Sequence, residues 1–98
     1  MTEVQTKSGF VWKIDERKVT DWDFAKALAE SESDDLGAQI RAITYLVPYL
    51  LGKDGEAALA EHVKDENGIR PTMKMISEFR EMLNLLGEQT KKSESSQE

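Results

Sequence analysis

The chain has 98 residues, a third of them charged, with a formal net charge of −6 and no cysteine. That length makes one domain and buries roughly 60–65% of the unfolded surface, a modest core rather than a deep enzymatic cleft with its scaffold. Without cysteine there are no disulfides and no thiolate chemistry, and the acidic balance repels a phosphate backbone, so direct nucleic-acid binding is not expected.

Residues 1–8 (MTEVQTKS) are polar, lack the apolar core of a signal peptide and read as a flexible N-terminus. Residues 9–14 (GFVWKI) alternate imperfectly but are rich in aromatic and branched side chains, as strands are. The run 15–18 (DERK) supplies a polar turn, after which Val19 ends a second short strand. Such a hairpin must lie on helices, because an isolated two-stranded ribbon is marginal in water. Thr20 and Asp23 then make a capping pair, and Trp22, Ala25, Leu28 and Ala29 give one apolar side to a helix over 21–30. The run 31–35 (SESDD) breaks it and ends in carboxylates suited to the positive end of the next helix.

That helix, about 36–51, contains IRAITYLVPYLL, in which nine of twelve residues are apolar. Leu36, Ile40, Ile43, Val47 and Leu50 recur at spacings of three and four and form a core stripe. A second row, Ala42, Tyr45, Leu46 and Tyr49, widens the apolar surface past one face and is expected to stay open as a client or self-binding surface. Extended from Leu36 to Gly52, the stretch still falls short of the ~20 residues that cross a bilayer and includes Arg41 and Pro48, so no membrane span is expected. Pro48 predicts a kink, and Gly52 ends the helix.

Asp54 caps a short helix over 55–64 with Ala58, Leu59, His62 and Val63 inward, and Gly68 marks a turn. Pro71 and Thr72 open the last helix, whose core stripe is Met73, Ile76, Phe79, Leu83 and Leu86, flanked by Met75, Met82 and Leu85 and stopped by Gly87. Residues 88–98 (EQTKKSESSQE) carry no apolar side chain and read as a disordered polar tail. The expected fold is therefore mainly α: one domain over 9–87, of about four helices, with a short N-terminal hairpin.

Candidate chemistry is sparse. His62 is the sole histidine, and its neighbours at plus or minus four are Ala58 and Glu66, so a structural or surface role is expected. The turn 65–68 (DENG) begins like a calcium loop, but Ile69, Arg70 and Pro71 follow where further acids are needed. Glu30, Glu32, Asp34 and Asp35 suit a helix start, the segment 52–55 (GKDG) lacks the spacing of a phosphate loop, and the serines lie in flexible stretches away from any base. The expectation is no catalytic residue, no metal and no cofactor. What remains is protein binding. Met75, Met82 and Leu85 joined to Tyr45, Leu46 and Tyr49 would make an adaptable surface, unless the methionines merely fill an irregular core.

The segments GFVWKIDERKVTDWDFAKALAE and LVPYLLGKDGEAALAEHVKDENGIRPTMKMISEFREMLNLLGE, spanning about 9–87, resemble a tail assembly chaperone of long, non-contractile-tailed bacteriophages. Their order carries the resemblance: a strand pair with an acidic turn, a small helix, a hydrophobic helix, a glycine break, an alanine-rich helix, a D-E-N-G turn and an amphipathic helix. The resemblance implies a non-enzymatic protein of the host bacterial cytoplasm that binds and solubilises the tape measure protein and is absent from the mature virion. It also implies contact with the tail tube protein through a frameshift-extended form, and consecutive Lys91 and Lys92 fit a slippery A-rich codon run. A homo-oligomer is a further expectation, since an exposed apolar strip pairs with its own copy when no client is present. The competing readings are a small phage or bacterial adaptor and an acidic nucleic-acid mimic.

Overall fold

The polar first segment hides an alternation. In residues 2–6, Val4 and Thr6 are buried while Glu3 and Gln5 face water, and Thr2–Gln5 forms strand β1. The computed structural model, which describes residues 1–97 and their side chains through Gln89, pairs β1 antiparallel with strand β2 (Val11–Ile14), Val4 opposite Trp12. The stretch expected to be flexible is thus half of the hairpin, and Val19 belongs to no strand. Asp15 accounts for the difference. Its carboxylate accepts from the Arg17 amide at 3.1 Å and from the Arg17 guanidinium at 2.9 Å, curling Glu16–Thr20 into a short 3-10 helix. Those hydrogen bonds hold the Asp15 carboxyl well below the usual range, at about 2.

Helix α1 (Trp22–Ser31) is capped by Asp21, whose carboxylate accepts from the amides of Asp23 and Phe24. Thr20, the expected cap, donates its hydroxyl to Arg17 O instead. The inward face is Phe24, Ala27, Leu28 and Ser31, at helical spacing, whereas Trp22 is 73% exposed and Ala25 and Ala29 face solvent.

Helix α2 (Leu36–Val63) begins at the Asp35 cap. The helices number three rather than about four, because the two segments expected to be separate form one element kinked at Gly52. Gly52 has φ 77° and ψ 173°, a conformation essentially restricted to glycine, while Pro48, where the kink was expected, stays within the helix. Two carbonyls beside the break are met by side chains from the N-terminal region. Lys18 Nζ donates to Tyr49 O at 3.1 Å, and Trp12 Nε1 donates to Leu51 O at 3.2 Å. Trp12 also lies on Gly55, where a Cβ would sit 2.9 Å from the indole and 2.5 Å from Leu51 Cβ. Gly55→Ala is therefore expected to destabilise. The overpacking costs about 1–3 kcal/mol, and the gain in helix propensity offsets only about 1. A fall of several degrees in melting temperature checks this; a rise would mean that the Trp12 contact is loose.

After α2, Asp65 closes the D-E-N-G turn by accepting from the amides of Asn67 and Ile69, with Gly68 at φ 82°. Helix α3 (Thr72–Gln97) passes Gly87 without the positive φ of a glycine cap and continues into the segment read as a disordered tail. Glycine inside a helix costs only about 1 kcal/mol, and no proline or further glycine follows to end it. Glu98 and the side chains beyond Gln89 lie outside the described residues.

One core joins these elements: Val4, Phe10 and Ile14 of the hairpin region, Phe24 of α1, Ile43, Leu46, Val47, Leu50, Leu51, Leu59 and Val63 of α2, and Ile76, Phe79, Met82 and Leu86 of α3. Among the described residues, no helix is long and apolar enough to cross a membrane.

Candidate functional site

The kink divides α2 into two limbs, and the start of α3 lies across them. Between them runs a half-open groove of about 180 Å³. Its apolar walls are Ile40, Ile43 and Val47 of the first limb and Met75 and Ile76 of α3; Glu56, Arg70, Thr44 and Thr72 supply the polar atoms. Leu36, half exposed, sits one turn before Ile40 on the same face of α2. Ile69 and Met73, 60% and 59% exposed, bracket Arg70 and Thr72 in the chain. Three of the exposed large apolar side chains, Leu36, Ile69 and Met73, thus neighbour the groove lining in the chain, while Trp22, Tyr45 and Val11 lie elsewhere.

The six residues expected to bind a partner are split by the fold. Met75 lines the groove, half-buried. Leu46 and Met82 have 0% exposure and belong to the core, so no partner reaches them in the folded protein. Helix α1 packs on the α2 side that carries Ala42 and Leu46, the row expected to stay open, and the stripe assigned to the core instead leaves Leu36 and Ile40 at the groove. Leu85 is half-buried against the core cluster. Tyr45 and Tyr49 stack on one another, ring centroids 5.6 Å apart, on the α1 side. Tyr45, 43% exposed, borders an open cleft with Asp23, Lys26, Glu30 and Arg41. Tyr49 is more sheltered: Lys18 lies over its ring, and burial together with Asp21 pushes its phenol pKa up.

A second polar assembly was not foreseen. Thr6 and Ser8, at the hairpin turn, each donate a hydroxyl to Glu78 Oε1 of α3 at 2.8 Å, and the Lys7 amide donates to Glu81 at 2.7 Å. Ser8 Oγ also lies 2.8 Å from His62 Nε2, so one serine does stand beside a base, contrary to expectation. Since the Ser8 proton is directed to Glu78, proton counting assigns the hydrogen of this contact to His62 Nε2. The carboxylate is on the serine rather than behind the imidazole, which is not the order of a nucleophile–base–acid relay. The assembly instead ties the hairpin turn to α2 and α3. His62 was expected to face inward; it is exposed, its ring tilted against Phe10 at 5.4 Å.

Ile43, Val47 and Ile76 belong to the core, as their spacing predicts, and also line the groove; Ile40 is only partly covered. The sequence assigns Glu56 no role and Arg70 only that of breaking a calcium-loop pattern. One signal was available: Ile69 and Arg70 lie between a turn glycine and a helix-opening proline, where an apolar side chain has no periodic partner. No family model, curated protein or solved structure matches the chain.

Proposed function

We propose that this protein is a tail assembly chaperone of a long, non-contractile-tailed phage, binding the tape measure protein and keeping it soluble during tail morphogenesis. The observation that carries the reading is the groove: a mostly apolar trough between the α2 limbs and α3, whose lining residues are neighboured in the chain by the exposed Leu36, Ile69 and Met73, on a body of net charge −6. A trough of this kind accepts the apolar face of a helix, and a long helical tape measure chain offers many such faces. The acidic surface keeps the loaded complex dispersed. In this reading the protein acts non-enzymatically in the host cytoplasm and leaves before the virion is complete. A frameshift-extended form contacts the tail tube protein, and the client-free chain pairs with itself.

Co-expression with the tape measure protein encoded by the same genome tests the proposal. The expected result is a soluble, co-purifying complex that is lost when Ile40→Asp places a carboxylate in the groove wall. A client that stays insoluble beside the wild-type chain would sink the reading.

A further inference from the structure

Glu56 is half-buried at a mostly apolar groove that also carries Thr44, Thr72 and Arg70, and no hydrogen bond or ion pair reaches its carboxylate among the described residues. Charged side chains are seldom sheltered without a partner, because lost hydration must be replaced. Arg70 lines the same groove and also makes no ion pair, so the two opposite charges face one trough without closing on each other. The trough measures about 180 Å³. A cavity of about 150 Å³ holds benzene, so there is room for one large apolar side chain.

From this we infer that the groove selects an amphipathic helix carrying an aliphatic anchor and, one turn away, a basic residue that pairs with Glu56. The inference rests on the groove being the client site. The anchor fills the space between Ile40, Val47 and Met75, and the ammonium or guanidinium of the helix meets the waiting carboxylate. Arg70, exposed at the same groove, disfavours a second base beside it. The net charge of −6 draws a basic segment toward the chain before contact, which speaks for a basic partner over a second copy of this acidic protein. Glu56 is then a binding residue whose carboxylate the fold leaves without a partner among the described residues.

The test uses the full chain and two short synthetic helical peptides of identical alanine, glutamine and leucine body, one with Lys and the other with Glu one turn after the leucine anchor. The Lys peptide is expected to bind the wild type about fivefold tighter, the scale of a partly exposed ion pair. Glu56→Gln is expected to erase that preference without lowering the melting temperature, and Glu56→Lys to reverse it. Equal binding of the two peptides, a preference that survives Glu56→Gln, or binding of neither would overturn the inference. So would a wild-type dimer that neither peptide displaces, since the groove would then hold a second copy. Co-purification of the tape measure protein, read separately with the wild type and Glu56→Gln, tells the two ideas apart. A client held equally by both removes the role of Glu56 and leaves the chaperone; a peptide preference without any client does the reverse.

Discussion

Leu46→Ala is expected to cost about 2–5 kcal/mol, enough to lower the melting temperature of a domain this size by roughly ten degrees or more. Leu46 has no exposed surface and lies in the cluster formed by α1, α2, α3 and the hairpin, so truncation removes its transfer energy and leaves a cavity that rigid neighbours fill only in part. Tyr45→Ala, one position earlier, is expected to change stability less, because it is 43% exposed and stacks on Tyr49 at the surface. The pair separates two roles that adjacent letters in an apolar run cannot show. Thermal melts of the two variants, followed by circular dichroism, decide it. Similar losses at both positions would mean that α1 does not cover α2 as described.

The second large effect belongs to Gly52. A branched side chain at φ 77° and ψ 173° stands in a region essentially closed to non-glycine residues, and Gly52→Val is expected to cost roughly 2–3 kcal/mol. No neighbour lies within 4 Å of the position, so the cost is one of backbone conformation rather than crowding. Straightening the helix would relieve the strain but would carry Tyr49 O and Leu51 O away from Lys18 and Trp12. Trp12 reports this directly. In a Trp22→Phe background, itself expected to be nearly neutral because Trp22 is exposed, Trp12 is the remaining tryptophan, and Gly52→Val should shift its emission to the red. Unchanged emission with full stability would mean that the kink is not held by the hairpin.

The elements were legible where local chemistry speaks alone. Gly52, Gly68 and Pro71 punctuate the chain where the sequence places breaks, and the mainly helical character with a small hairpin follows from periodicity. The faces were not. On α1 the apolar letters Trp22 and Ala25 outvote Phe24, yet the Asp21 cap and the packing of α1 on α2 turn Phe24 inward. On α2, two apolar rows compete for one core, and no count of hydrophobic residues tells which neighbour will arrive on which side. The hairpin's first strand has a single apolar inward residue, Val4, flanked by Thr2 within the strand and Thr6 just after it, polar letters that are satisfied through Glu16 and Glu78. Glu78 lies 72 residues from Thr6, and a local reading has no access to it. The same holds for the groove. Its walls come from residues 40–47 and 70–76 together, and only tertiary folding makes them one surface.

The contact between the hairpin turn and α3 also has a temporal side. Thr6 and Glu78 are 72 residues apart, so at synthesis rates of about 5–20 residues per second the hairpin waits roughly 4–14 s for the helix that covers it. Over that interval Val4, Phe10 and Ile14 have no α3 beneath them, and a lone two-stranded ribbon is marginal. The nascent chain therefore passes through a stage with bare strand edges and unburied apolar side chains. A protein proposed to shield another from aggregation begins its own existence exposed to the same hazard, and the closing of residues 76–86 over the hairpin ends it.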